Sequence, residues 1–210
     1  MILVLATENK DKGREIASII DGQIHLTLRF ITDYPGLTLP SETGATYKEN
    51  AILKAKTVAE ATSQWAMGDD SGLEIDALNG APGLYSARFA GEQASYADNR
   101  KKALALLGDL PDEKRRARFV CTIALADPYG VCSVVEGVCE GRITHVEAGE
   151  GGFGYDPIFY LPHLGKTFSE STRDEKNQVS HRGIAIRAAI EILGARPPAI
   201  IADPLGRLGQ

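Results

Sequence analysis

The 210-residue sequence is short of long apolar runs, of cysteine and of excess positive charge. The longest wholly apolar run at its start, Met1 to Ala6, is far shorter than the about 20 residues that span a bilayer. The same segment lacks the basic leader and small-residue cleavage site of a signal peptide. We therefore expect no membrane partner and a cytoplasmic location.

Positive charge is also limited, with 23 Lys and Arg against 28 Asp and Glu and a formal net charge of -5. Non-specific binding to nucleic acid depends on an excess of Lys and Arg, so we expect no nucleic-acid partner. A small, magnesium-bound anion is compatible with this balance, because it needs only a local cluster of positive charge.

Cysteine is limited to Cys121, Cys132 and Cys139, an odd number without the spacing of metal ligands. We expect reduced residues of the interior. Hydrophobic residues make up 43% and charged residues 24%, an ordinary globular composition that allows one core or two closely packed lobes. No internal repeat or linker divides the chain. These features favour a cytoplasmic enzyme or binding domain.

The stretch from Trp65 to Leu73 carries two adjacent carboxylates, Asp69 and Asp70, after a short apolar run that ends at Gly68. This pattern predicts a buried strand that delivers the acidic pair to its exposed carboxyl end, where open α/β sheets bind ligands. Neighbouring residues of a strand point to opposite sides, so we expect one aspartate in a site and the other in a structural role. The alternative is a turn without chemistry.

A second candidate site lies at the start of the chain, where a predicted strand, Ile2 to Ala6, runs into the polar segment Thr7 to Lys12 and an amphipathic helix. The free N–H groups at a helix start attract phosphate. Lys12 can add a charge, whereas Thr7 can alternatively serve only as a helix cap.

Other patterns complete the predicted mixed sheet. We expect a strand over His25 to Thr32, a helix opened by the capping box at Thr46 and running to about Ser63, and a helix over Ser95 to Leu107. Arg118 to Ala126 and Val131 to Cys139 predict an antiparallel hairpin. Before the first of these helices, Glu42 is either a dipole partner or a second magnesium ligand beside Asp70, and Lys54 is either near that site or solvated.

Two later stretches suit the recognition of a nucleoside. In the glycine-rich segment Gly149 to Pro157, Phe153 and Tyr155 offer flat faces for a base, or else fill the core. Ser180 is a good N-cap, which places His181 and Arg182 in the first turn of a helix. Cations there indicate a nearby anion or carbonyl, or simply a solvated helix start.

Together these segments resemble the inosine triphosphate pyrophosphatase family, also called the Ham1 family, over roughly residues 2 to 195. The matching pieces occur in family order: Thr7-x-Asn9-x-x-Lys12, Glu42-x-Gly44, Asn50-Ala51-x-x-Lys54-Ala55, Asp69-Asp70-Ser71-Gly72-Leu73, Pro82-Gly83, Ser86-Ala87-Arg88, Phe153-Gly154-Tyr155-Asp156-Pro157, Lys176-Asn177 and Ser180-His181-Arg182.

The resemblance implies magnesium-dependent hydrolysis of ITP, dITP and XTP to the monophosphate and pyrophosphate by a homodimer. It implies an α/β fold, with an elongated mixed β-sheet, flanking helices and two lobes around a central cleft. We expect one domain over residues 1–196, followed by a C-terminal tail, 197–210.

The resemblance also assigns the site residues. Asp70 is the catalytic carboxylate and, with Glu42, holds Mg²⁺; Lys54 assists with the phosphates. The substrate-binding residues are Thr7, Glu8, Asn9, Lys10, Asp11, Lys12 and Ser71 toward the phosphates, and Phe153, Gly154, Tyr155, Asp156, Lys176, His181 and Arg182 around the nucleoside.

The chain departs from many relatives at Glu8, where a small residue is common, and at Lys10 and Asp11, where a turn with glycine is common. A carboxylate among phosphate ligands is unfavourable unless it points away. Two other functions share much of this pattern: a nucleotide-binding or sensing protein without catalysis, and a house-cleaning pyrophosphatase for other modified nucleotides. The binding protein would not need both Glu42 and Asp70.

Overall fold

The computed structural model describes residues 1–130 and 132–195. Its strands are β1 (Ile2–Ala6), β2 (Thr27–Phe30), β3 (Trp65–Ile75), β4 (Arg116–Ala126), β5 (Cys132–Ile143), β6 (Phe159–Leu161) and β7 (Lys166–Thr167). Its α-helices are α1 (Lys10–Ile20), α2 (Tyr47–Thr62), α3 (Tyr96–Leu107), α4 (Arg173–Val179) and α5 (His181–Gly194). Short 3-10 helices lie at Ile31–Asp33, Asp76–Leu78, Gly83–Arg88, Asp112–Lys114, Asp156–Ile158 and Phe168–Glu170.

The seven strands form one mixed sheet in the order β2-β1-β3-β4-β5-β6-β7. β1 pairs in parallel with β2 and β3, and the pairs from β3 to β7 are antiparallel. The predicted mixed sheet with flanking helices is therefore confirmed.

The first lobe surrounds β1, which is apolar on both faces because helices cover both. Leu3 and Leu5 pack with α1 and α5 on one face, whereas Val4 and Ala6 pack with α2 on the other. The approach of α2 to β3 depends on Gly68, since a Cβ there would lie 2.2 Å from the Ala51 carbonyl oxygen.

The second lobe contains a separate hydrophobic cluster beneath α3 and around the short strands β6 and β7. Leu73 and Ile75 contribute the end of β3 to it, and Ala117 and Phe119 contribute the first part of β4. β3 and β4 therefore pass from one core to the other, and the cleft between the lobes lies beside their middle residues.

The prediction that the acidic pair leaves β3 at an exposed carboxyl end is wrong. Parallel pairing with β1 stops at Gly68, but β3 continues to Ile75 because β4 pairs with it over that whole length. Asp69 and Asp70 are therefore buried inside the strand. The predicted opposite orientation of the two side chains is confirmed by their different partners.

Most other predicted elements are confirmed, including the N-caps at Thr46 and Ser180. The predicted helix over Ser95 to Leu107 is Tyr96–Leu107, with Ser95 as its N-cap. The predicted strand from His25 to Thr32 is too long, since only Thr27–Phe30 pairs with β1 and a helical turn follows. The tail predicted over 197–210 lies outside the described residues, as does Val131 at the start of the second hairpin strand. Within the described chain, every helix is too short or too polar to cross a bilayer.

Candidate active site

A cleft of about 110 Å³ opens between the two lobes. It is lined by Asp70, Ser71 and Gly72 of β3, by the starts of α1 and α5 and by loops of the second lobe. The following predicted site residues line it: Asn9, Lys12, Glu42, Asp70, Ser71, Phe153, Gly154, Tyr155, Asp156, Lys176, His181 and Arg182. Phosphate-side and nucleoside-side candidates therefore meet in one place.

The start of α1 forms one end of this cleft. The Asn9 side-chain oxygen caps the helix by accepting bonds from the N–H groups of Asp11 at 2.9 Å and Lys12 at 3.2 Å. The ammonium of Lys12 lies 2.6 Å from Asp69 Oδ1 and remains partly exposed to the cleft. This end combines a helix start with a lysine, which suits an anion.

Four predicted substrate-binding residues of this segment do not line the cleft. Glu8 and Lys10 are exposed on the surface. Thr7 accepts a bond from the N–H of Asn9 and so stabilises the turn, while Asp11 pairs with an arginine one turn along α1. Contact of these side chains with a substrate remains a prediction from the resemblance.

Asp69 is one of two buried carboxylates on β3, and its partners are cations. Its oxygens lie 2.6 Å from Lys12 Nζ and 2.8 Å from Arg182 Nε, and the Cys121 thiol lies 3.2 Å away. Burial alone would raise the pKa of Asp69, but Arg182 and Lys12 outweigh it and hold the pKa well below the usual value of 3.8. Asp69 is therefore a charged, structural carboxylate.

Asp70 faces the other side of β3 and the cleft. Its Oδ2 accepts a bond from Asn50 at 3.1 Å, and its Oδ1 lies 3.1 Å from Lys54 Nζ. Burial raises the pKa of Asp70 above 3.8, and Lys54 and Lys12 only partly offset this. Asp70 is thus a more basic carboxylate than a free aspartate.

Lys54 connects Asp70 to Glu42. Its ammonium lies 2.8 Å from Glu42 Oε1 and also donates to the Asp69 carbonyl oxygen. It is buried, so the predicted position near the site applies and the solvated alternative does not. The two carboxylates therefore face a single cation.

The opposite end of the cleft is formed by the glycine-rich loop and α4. The Lys176 ammonium lies 4.7 Å from the centroid of the Phe153 ring and 2.6 Å from Asp156 Oδ2. Burial raises the pKa of Asp156, which Lys176 partly offsets. Phe153 is half-buried and has a face toward the cleft, so a flat ligand can stack on it.

Gly154 and Tyr155 continue this wall. The Tyr155 ring belongs to the second core, and its hydroxyl donates to the Ser86 carbonyl oxygen at 2.9 Å. Tyr155 therefore anchors this side of the cleft to the second core, in agreement with the alternative that its ring fills the core. Ser71 accepts a bond from Arg182 at 2.8 Å across the cleft floor.

His181 is placed by the close packing of α5 on β5, where a Cβ on Gly137 would lie 2.1 Å from the His181 carbonyl oxygen. Its imidazole stacks on Phe119 with centroids 4.6 Å apart, and its Nδ1 is buried without a hydrogen-bond partner. Burial, together with Arg182 and Lys176, holds the pKa of His181 well below 6.5. The ring is therefore neutral, with an unused polar atom beside the cleft.

Arg182 differs from the adjacent His181 because its guanidinium is already bonded to carboxylates of the protein. It donates to Asp69 and to Glu15, and its side chain is buried. The anion expected near this helix start is therefore supplied, for Arg182, by the protein itself.

Three contributors were missed by the sequence analysis: Glu15, Asn50 and Tyr96. Glu15 is a glutamate on the apolar face of α1 beside Ile16, a position that calls for a buried cationic partner and could have been noticed. Asn50 belongs to one of the matching segments, but its sequence position alone assigns it no role. Tyr96 gives no signal in the sequence.

Glu42 and Asp70 are suited to a magnesium ion because their oxygens converge on one ammonium. No cluster of three or more His, Cys, Asp or Glu side chains arranged to hold a metal is found within residues 1–130 and 132–195. Magnesium needs no such cluster, since one or two carboxylates suffice when substrate phosphates and water complete the shell.

Comparison with known proteins agrees with this arrangement. A dITP/XTP pyrophosphatase of Desulforamulus reducens is 50% identical over 193 residues, which cover 92% of this chain and 96% of the relative. A protein with the same name from Halalkalibacterium halodurans is 47% identical, and the match covers 88% of this chain and 94% of that relative.

Two solved structures share the fold. A HAM1 protein from Coxiella burnetii superposes with a TM-score of 0.84 at 38% identity, covering 93% of this chain and 100% of its own. The Staphylococcus aureus Ham1 protein superposes with a TM-score of 0.81 at 40% identity, and the match covers 92% of this chain and 98% of that protein. The family model described as "Ham1 family" matches residues 3–192. The chain belongs to the Ham1 family.

Proposed function

We propose that this chain hydrolyses dITP, ITP and XTP to the monophosphate and pyrophosphate, with magnesium, and so removes these nucleotides from the cytoplasmic pool. The observation that carries the proposal is that one cleft holds both halves of such a site. Asp70 lies near Lys12 and Lys54 at one end, and the unpartnered Nδ1 of His181 lies near Phe153 at the other.

Asp70 is the residue that activates water. A carboxylate that is buried, faces the cleft and has a raised pKa is a good acceptor for a proton. It orients a water molecule toward the α-phosphate and takes up its proton as the new P–O bond forms. The α–β anhydride bond breaks, and pyrophosphate leaves.

The phosphates lie along the Asn9–Lys12 end of the cleft. The Lys12 ammonium and the positive end of the α1 dipole neutralise and orient them, which lowers the barrier by positioning and charge. Asp70 and Glu42 would hold a magnesium ion, which would further neutralise the phosphate charge.

The base lies against Phe153, where polar groups can distinguish a keto from an amino group. Lys176 offers donors to the 6-keto oxygen of hypoxanthine or xanthine, and neutral His181 has an unused nitrogen nearby. Adenine presents an amino donor at this position, which leaves buried groups unpaired and is costly. The same wall thus favours 6-keto purines over adenine.

The test is release of pyrophosphate from ITP, dITP, XTP, GTP, ATP and dUTP, each with magnesium and with excess chelator. We expect kcat/KM for the inosine and xanthosine nucleotides to exceed that for ATP by at least about 10²-fold. The activity should disappear with the chelator.

Each other outcome has a definite meaning. Equal release from all nucleotides would remove the base-reading role of the Phe153 wall but keep that of Asp70. Preference for dUTP would indicate a pyrophosphatase for other nucleotides. Binding of ITP without release would indicate a nucleotide-binding protein.

We also propose the homodimer that the family resemblance implies. Light scattering checks it separately and should give twice the 22.5 kDa mass of the chain.

A further inference from the structure

Tyr96 is the side chain through which α3 reaches both walls of the cleft. Its hydroxyl accepts a bond from Asn9 Nδ2 at 3.0 Å on the phosphate side. Its ring centroid lies 6.1 Å from that of Phe153 on the nucleoside side, with the two planes tilted by 45°. The ring lines the cleft and stays 36% exposed, so a ligand can reach it.

The two ends that Tyr96 joins are those assigned to the phosphates and to the base. In a nucleotide, the sugar is the group that connects these two parts. A side chain in contact with Asn9 and Phe153 together must therefore face the sugar or the α-phosphate next to it. The resemblance assigns no role to Tyr96.

The hydrogen bonds of Tyr96 leave it a donor to offer. Because the Asn9 oxygen caps α1, its amide nitrogen must face Tyr96, and the phenol oxygen therefore acts as an acceptor. The phenol hydrogen has only Asp11 Oδ2, at 3.5 Å, which is the limit of a hydrogen bond. An oxygen of a ligand in the cleft would be a better acceptor.

We propose that Tyr96 contacts the sugar of the bound nucleotide, packing its ring against the sugar and donating its phenol hydrogen to a sugar or α-phosphate oxygen. This inference rests on the proposed function, because it takes the ligand to be a nucleotide. Tyr96 is then a substrate-binding residue that acts on the nucleoside monophosphate part and not on the pyrophosphate part.

The test uses the two products as probes, IMP and pyrophosphate, with affinities measured by calorimetry in magnesium. Tyr96→Phe removes the hydroxyl and keeps the ring, and should raise the Kd for IMP about three- to tenfold. Tyr96→Ala removes both and should raise it by more than about tenfold. The Kd for pyrophosphate should stay within about twofold in both variants.

Tyr129 is the matched control, since it is 92% exposed at the hairpin turn, and Tyr129→Ala should change neither affinity. An IMP affinity that is unchanged in both Tyr96 variants would overturn the proposal. Equal losses for IMP and pyrophosphate would also overturn it, because Tyr96 would then act only through Asn9. If the wild-type chain binds neither product and releases no pyrophosphate from ITP, the proposed function itself fails.

Discussion

Asp69 and Asp70 are adjacent on β3, nearly equally buried at 2% and 6% exposure, and opposite in behaviour. Burial acts to raise the pKa of each. Two cations, Arg182 and Lys12, lie within 2.8 Å of Asp69 and hold its pKa well below 3.8. Lys54 lies 3.1 Å from Asp70, whose pKa stays above 3.8. Asp69 has two hydrogen-bonded cations, whereas Asp70 has one and lies near the negative charge of Glu42. This difference, and not the depth of burial, separates the structural carboxylate from the reactive one.

The comparison extends to the surroundings of each aspartate. On the Asp69 side, ion pairs alternate in sign along Lys12, Asp69, Arg182, Glu15, Lys176 and Asp156. On the Asp70 side, two carboxylates, Asp70 and Glu42, share Lys54. Arg88 lies 3.7 Å from Glu42 and is also paired with Glu92, so three carboxylates face two cations there. The first side is balanced without a ligand, whereas the second can accept a further cation.

The largest expected effect comes from removing the reactive charge. Asp70→Asn keeps the size of the side chain but cannot accept a proton from water, so kcat for ITP should fall about 10³-fold. The free energy of unfolding should change by less than about 1 kcal/mol, because the raised pKa of Asp70 means that its charged form does not stabilise the fold. Pyrophosphate release and urea unfolding measure the two quantities.

Asp76→Asn, at an exposed position beyond the end of β3, is the matched control and should keep wild-type activity. Wild-type turnover in Asp70→Asn would exclude the role given to Asp70. A loss of both turnover and fold would instead place Asp70 with the structural carboxylates.

Asp69→Asn should, in contrast, mainly lower the free energy of unfolding. It leaves the guanidinium of Arg182 and the ammonium of Lys12 without a charged partner on β3, and breaking a buried ion pair costs about 3–5 kcal/mol. We expect the free energy of unfolding to fall by about 3 kcal/mol in urea titrations, since Arg182 keeps Glu15. A loss below about 1 kcal/mol would mean that Asp69 does not hold the network together.

Local signals in the sequence were sufficient for much of this molecule. The apolar run of β1 and the caps at Thr46 and Ser180 depend on neighbours within a few residues, so their elements could be predicted. The opposite orientation of Asp69 and Asp70 follows from the period of a strand and needs no tertiary information.

Features that depend on distant partners could not be predicted. β3 extends past the acidic pair only because β4 pairs with it, some 50 positions later in the chain. The neutral state of His181 depends on the Phe119 ring and on nearby cations from other elements. The anion expected near Arg182 is present, but the sequence could not show that Glu15 and Asp69 of the protein itself supply it.

The smallest expected effect concerns the ion pairs on the Asp69 side and is measured through the pH dependence of the unfolding free energy. Burial acts to raise the pKa of Glu15, but Arg182 and Lys176 outweigh it, and the pKa lies below the ordinary 4.5. The unfolded chain therefore takes up a proton near pH 4.5 that the folded chain does not. Glu15 thus stabilises the fold above pH 4.5, and this contribution is lost as the pH falls further toward the folded pKa.

Glu15→Gln should remove this part of the pH dependence in metal-free buffer. Each carboxylate with a lowered pKa adds at most about 1.4 kcal/mol per pH unit to the slope of unfolding free energy below its unfolded pKa. Urea titrations at several acidic pH values should therefore give a shallower slope for the variant than for the wild type. Glu60→Gln, on the exposed face of α2, should leave the slope unchanged. Parallel slopes for Glu15→Gln and the wild type would show that Arg182 and Lys176 are neutralised by Asp69 and Asp156 alone, and the network would then end at those two pairs.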